Sequence, residues 1–135
     1  YEFVTRKISS ILAKIVYGKQ KFLELGNINA KRDWGHAKDY VEAMWKMLQQ
    51  KKPQDFVIGT GETHSVKEFC KIAFESLGLD YKKFLRINKK FYRPTEVDLL
   101  KADFTLANKV LKWKPKYTFK NLVVEMVQSD LKKFK

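Results

Sequence analysis

Apolar residues recur every three to four positions along most of this chain, and the points where that rhythm breaks mark off its elements. Val4, Ile8, Ile11, Leu12 and Ile15 share one helical face, with Arg6, Ser9, Ser10 and Lys14 mostly opposite. This predicts a helix from about residue 3 to 17, stopped by Gly18. Residues 22–25 read as a short strand closed by Gly26-Asn27, followed by a polar connection. A second helix is predicted over 37–49, burying Val41, Met44, Trp45 and Leu48 as one stripe. The chain turns around Pro53, and residues 55–59 (DFVIG) have the apolar, β-branched character of a buried strand. Ser65-Val66-Lys67-Glu68 spells a capping box, in which serine and glutamate each bond the other's backbone amide. The helix it opens runs to Leu77 before Gly78, with Phe69, Ile72, Ala73 and Leu77 inward.

Further on, residues 81–87 are open between turn and strand, and 88–90 read as loop. Pro94 excludes helical geometry at Arg93, so 92–98 (YRPTEVD) is predicted extended. A short helix covers 105–111 and ends at Trp113-Lys114-Pro115. Thr118 caps a last helix striped by Phe119, Leu122, Val123, Met126, Val127 and Leu131. The expected fold is mixed α/β, a helix-rich single domain over residues 1–135 with a small sheet of short strands.

Composition narrows the function. A 44% hydrophobic and 14% aromatic chain is not a disordered polymer. Cys70 is the one cysteine, which excludes an intrachain disulfide and fits a reducing compartment. No apolar run nears the ~18 residues of a membrane helix and no signal peptide opens the chain, so a soluble, cytoplasmic protein is expected. The net charge of +13 raises nucleic-acid binding, but the lysine pairs at 51–52, 82–83, 89–90 and 132–133 are scattered and no recognition motif accompanies them. Solvated faces explain them better, and neither nucleic acid nor membrane is expected as a partner. The chain opens at Tyr1 and is almost at once helical, which implies a longer parent.

The richest chemistry lies in RDWGHAKDY, residues 32–40. Only four of the 28 basic residues are arginine, so Arg32 stands where a planar fork for phosphate or carboxylate matters. The helix start just beyond adds unpaired amides that one anionic ligand could share. A structural pairing with Asp33 or Asp39 is the alternative. Two features imitate other chemistry. Gly59-Thr60-Gly61 sits between a strand and a helix like a dinucleotide fingerprint, but His64 replaces the third glycine and the helix starts late. Tyr17 and Lys21 have a Tyr-x-x-x-Lys spacing that Gly18 interrupts. The two histidines are too far apart for a metal site, and none is expected.

FVTRKI (3–8), LGN (25–27), RDWGHAKDYVEAMW (32–45), DFVIGTGETHSVKEF (55–69), YRPTEVDLL (92–100) and LKWKP (111–115) together closely resemble the GDP-mannose 4,6-dehydratase family. This is a branch of the extended short-chain dehydrogenase/reductase superfamily, and the likeness runs in order through essentially the whole chain. The resemblance implies the C-terminal, sugar-nucleotide-binding part of a homo-oligomeric, NADP-dependent lyase acting on GDP-mannose. In that family an N-terminal Rossmann domain holds NADP and carries the Thr/Ser, Glu and Tyr-x-x-x-Lys machinery, so no catalytic residue and no cofactor site is expected here. By the resemblance Arg32 and Arg93 are similar to the two forks on the GDP diphosphate, and Glu96 to the carboxylate that accepts from the ribose hydroxyls. Lys7 is similar to the lysine at the guanine edge, with Val4 and Asn27 as neighbours of the base. Two departures stand out: Asn88-Lys89 where the family commonly carries Asp-Pro, and Ala102 where it has glycine. A nucleotide-binding module without catalysis and a part of a related epimerase or reductase are the competing readings.

Overall fold

A computed structural model describes residues 3–92, 95 and 97–135. In chain order the elements are α1 (Val4–Val16), β1 (Leu23–Leu25), β2 (Lys31–Arg32), α2 (Ala37–Leu48), β3 (His64–Ser65), α3 (Val66–Glu75), α4 (Tyr81–Phe84), β4 (Leu85–Ile87), a 3₁₀ turn at Lys89–Phe91, α5 (Thr105–Leu111) and α6 (Phe119–Phe134). The class is mixed α/β, with the helix boundaries close to those the apolar periodicity predicts. The chain divides into two compact units, one of Tyr1–Ala30, Ser65–Asp98 and Val123–Lys135, the other of Lys31–His64 and Leu99–Leu122.

In the first unit Ile8, Leu12, Phe69, Ala73, Phe74, Val123 and Val127 are buried, each from the apolar stripe of its helix. β1 and β4 pair in parallel, Leu23 beside Leu85 and Leu25 beside Ile87. Burial alternates along β1, with Leu23 and Leu25 inside and Glu24 out. The capping box forms as its letters require: Glu68 N–H donates to Ser65 Oγ at 3.1 Å and Ser65 N–H to Glu68 Oε2 at 2.8 Å. The open stretch 81–87 resolves into a single helical turn capped by Asp80, then a strand.

One expectation about α1 needs correcting, because Ser9 and Ser10 are buried rather than solvated. Ser9 Oγ donates to the buried Asp130 carboxylate at 2.6 Å, which Arg6 also meets at 2.6 Å; Ser10 Oγ donates back to the Lys7 carbonyl. Short hydroxyls tolerate a helix's inner face when such partners are in reach. Tyr17 lies just past the end of α1 and its hydroxyl donates to the Leu131 carbonyl, a structural role that disposes of the Tyr-x-x-x-Lys imitation. Cys70 is fully buried, and desolvation pushes its thiol up to about 12.

The second unit is built on Trp113. Its indole is buried with Ala43, Ala107 and Leu111, and Tyr40, Met47, Phe56, Ile58 and Phe104 pack around them. Its Nε1–H donates to the Asp39 carbonyl at 2.9 Å, so the ring's polar edge is satisfied. Lys112 adopts the left-handed conformation (φ 51°) that ends α5. Asn121 N–H donates to Thr118 Oγ1 at the start of α6, the predicted cap.

Two expectations fail in this unit. Val41, Met44, Trp45 and Leu48 are 62, 59, 62 and 82% exposed, so the predicted stripe of α2 faces outward. The helix carries apolar residues on more than one side, and the small Ala43 face is the one that meets the indole. Residues 55–59 form no strand among the described residues. Phe56 and Ile58 are half-buried in the Trp113 core while Val57 is 56% exposed, so the alternation of a strand is present without a ladder.

Candidate functional site

Arg32 ends β2, half-buried, and its Nη1–H donates to the Lys31 carbonyl at 2.8 Å. The residue after it explains the local shape. Asp33 Oδ1 accepts from Thr60 N–H at 2.8 Å and Thr60 Oγ1–H at 2.6 Å; Oδ2 accepts from Gly61 N–H at 2.9 Å and Ala102 N–H at 3.1 Å. Burial pushes this carboxyl upward, yet the Thr60 hydroxyl and the three amides outweigh it and hold it below the usual carboxylate range. The amides of Thr60 and Gly61, with that of Ala102, therefore cradle an anion, as a glycine-rich turn can, but the anion is the protein's own carboxylate. Gly61 reaches this geometry at φ +74°, which other residues rarely adopt.

The rest of RDWGHAKDY is likewise committed to the fold. Trp34 stacks on Phe119 at 5.8 Å, and the His36 ring lies on Tyr117 at 4.0 Å. Asp39 is buried, its Oδ2 accepting from the amides of Lys116 and Tyr117 at 3.0 and 3.1 Å. At the start of α2, three amides of the first turn already have acceptors within the protein. His36 Nδ1 accepts from Lys38 N–H, and the His36 carbonyl from the amides of Asp39 and Tyr40, so the first turn closes on itself.

A cavity of about 160 Å³ opens beside this segment, lined by Trp34, Thr60, Glu62, His64, Pro115, Lys116, Tyr117, Thr118 and Phe119. The His64 ring lies flat on Phe119 at 3.9 Å with Nε2 3.7 Å from the Glu62 carboxylate. Arg32 is not part of that lining. Among the described residues no group of three or more His, Cys, Asp and Glu is arranged to hold a metal ion.

In the first unit the structure brings Lys7 to the 3₁₀ turn. Its Nζ sits 3.4 Å from the centre of the Phe91 ring, a cation held on a π face. Burial pushes the amine's pKa below its ordinary value, and nearby Glu24 partly opposes this. Gly26 lies under the same turn, where a Cβ would meet the Phe91 carbonyl oxygen at 2.4 Å, so the glycine of LGN is required by close approach. Asn27 follows it and accepts from Asn29 N–H through Oδ1 at 2.9 Å. Val4 precedes Lys7 by one turn of α1 and is half-buried. Lys7, the Gly26-Asn27 turn and Phe91 are thus neighbours. Arg93 and Glu96 lie outside the described residues.

Sequence reasoning missed Asp33, Asp39, Phe91 and Glu24 as organising groups. The partners of the two aspartates stand 27 to 78 residues away, and no local spacing announces them. The general signal was available: a Gly-Thr-Gly turn exposes amides, and amides seek a carboxylate.

The family model described as GDP-mannose 4,6 dehydratase matches residues 1–126. GDP-mannose 4,6 dehydratase of Dictyostelium discoideum is 50% identical over 98% of the chain, and GDP-mannose 4,6 dehydratase 1 of Arabidopsis thaliana is 55% identical over 96%. The chain spans only 42% and 36% of those relatives. Among solved structures, RMD of Pseudomonas aeruginosa complexed with NADPH superposes with a TM-score of 0.87 at 17% identity, over 97% of this chain and 43% of that one. UDP-glucose 4-epimerase of Thermotoga maritima, solved with UDP-glucose, gives 0.79 at 22% identity, over 98% and 40%. At such identities these structures speak to the fold alone.

Proposed function

The chain belongs to the GDP-mannose 4,6-dehydratase family, and from that premise we propose that it forms the sugar-nucleotide-binding part of an enzyme converting GDP-mannose to GDP-4-keto-6-deoxymannose. The observation that carries the proposal is the match across residues 1–126, which takes in Val4, Lys7, Asn27, Arg32, Arg93 and Glu96 together. In the proposed reaction NADP takes a hydride from C4 of the hexose, water leaves across C5 and C6, and the hydride returns to C6. That cofactor and the acid-base groups belong to the remainder of the parent enzyme; the 135 residues bind and orient the nucleotide.

Each role follows from the chemistry of the group. A diphosphate needs flat, permanently charged forks, which Arg32 and Arg93 supply. A ribose diol needs an acceptor, which Glu96 offers. Lys7 donates to the guanine edge, and a partly desolvated amine on the Phe91 ring is held in place for that purpose. Val4 and Asn27 flank the base.

Titration with GDP tests the proposal. Arg32→Ala and Arg93→Ala should each weaken binding by about 1.5–3 kcal/mol, the worth of hydrogen bonds to a charged group. That is roughly 10- to 150-fold in the dissociation constant. An unchanged constant removes the arginine concerned from the site, and tighter binding of UDP-sugars than of GDP-mannose assigns the chain to a different substrate.

A further inference from the structure

The Phe91 ring is 47% exposed and lies outside the buried core, yet its place is closely fixed. Asn88 N–H donates to the Leu25 carbonyl at 2.8 Å, Asn88 Nδ2–H to Glu24 Oε1 at 3.3 Å, and Phe91 N–H to the Asn88 carbonyl at 3.1 Å. The 3₁₀ turn is thereby tied to β1, and the side-chain tie uses an amide that an aspartate at position 88 would lack. Gly26 admits the turn from below, since a Cβ there would stand 2.6 Å from the Phe91 carbonyl carbon and 3.0 Å from Tyr92 N. A half-exposed ring buries little area, but it holds a cation: Lys7 Nζ, on the neighbouring helix α1, is 3.4 Å from its centre.

A lysine ammonium stands on a flexible four-carbon stem, and it gives up rotamer freedom on binding unless it is already held. It only donates, so a base it recognises must turn acceptors toward it. Guanine offers O6 and N7 along one edge, whereas adenine keeps N7 and replaces O6 with an amino donor. A mobile amine can draw back from that amino group and settle on N7, which both purines share. A pinned amine cannot. We propose that Phe91 sets the base preference of the site, fixing the Lys7 ammonium as a donor to purine O6 and N7 so that a 6-amino purine is rejected. The inference rests on the nucleotide-binding reading above and adds which edge of the base is met and which residue fixes the group that meets it. Phe91 is a positioning residue, because it acts through Lys7.

The test is titration of the 135-residue chain with GDP, ADP and inosine diphosphate, which keeps O6 and N7 but lacks the 2-amino group of guanine. Wild type should bind GDP and inosine diphosphate in preference to ADP. Phe91→Leu should weaken both by roughly 3- to 10-fold and leave ADP unchanged, so the preference over ADP falls by that factor. Phe91→Tyr keeps a ring face and should restore the preference. Phe91→Leu added to Lys7→Met should change nothing further, since the ring works only through the amine. A loss shared equally by all three nucleotides makes the turn merely structural and overturns the proposal, as does an unchanged preference or a further loss in the Lys7→Met background. Should Phe91→Leu fail to fold, a trifluorinated phenylalanine at position 91 keeps the shape and drains the ring's negative face. The same fall in preference then supports the proposal, and an unchanged preference overturns it. Failure of wild type to bind GDP overturns the nucleotide-binding reading and this inference with it; an unchanged preference in a chain that does bind GDP overturns this inference alone.

Discussion

At the scale of single residues, Asp33 does the most to shape the segment that presents Arg32. One carboxylate ties together Thr60, Gly61 and Ala102, three loop positions that share no secondary structure. Asp33→Asn keeps the size but offers one acceptor oxygen, leaving amides unpaired; a urea melt should show a loss of about 1–3 kcal/mol. The pH dependence has a definite sign. Because the folded carboxyl titrates below its unfolded value, its contribution is complete above about pH 4 and is lost as pH falls through the folded value. Wild-type stability should drop below about pH 4 more steeply than that of Asp33→Asn, and parallel acid limbs would deny Asp33 this role. None of this was legible in the sequence. The letters Gly-Thr-Gly read as a turn that only imitates a phosphate-binding loop, and that its amides hold a carboxylate 27 residues upstream could not be read from spacing.

At the scale of elements, what was legible was what is local. Caps and breakers act within four residues, so the starts of α3 and α6 and the extents of α1, α2 and α5 followed from their own letters. Ser65→Ala should cost about 1 kcal/mol, measured by thermal or urea unfolding, with Glu68→Gln milder because an amide can still accept from the cap. What failed was non-local. Choosing between two apolar sides of α2 required knowing that the Trp113 indole would meet Ala43, and deciding whether 55–59 is a strand required knowing its neighbour. The sequence pattern identifies a strand-forming segment; only a partner makes it a strand. The candidate site divides the same way, with Lys7 and Asn27 found beside Phe91 while Arg93 and Glu96 rest on the family likeness.

At the scale of the whole molecule, the chain's share of its relatives sets the expectation for activity. Purified chain mixed with NADP and GDP-mannose should show no turnover, checked by chromatography for a 4-keto-6-deoxy product, and formation of that product would place the chemistry within these residues. The positive charge belongs to the same scale: with 24 lysines spread over two units it favours any polyanion weakly, so binding assays need salt high enough to isolate the arginine forks. The lone thiol has a practical use. Sealed among α3's inner residues and almost never ionised at neutral pH, Cys70 can be alkylated only while its surroundings part. The speed at which iodoacetamide labels it is therefore a built-in clock, one that reports how often this protein momentarily comes undone.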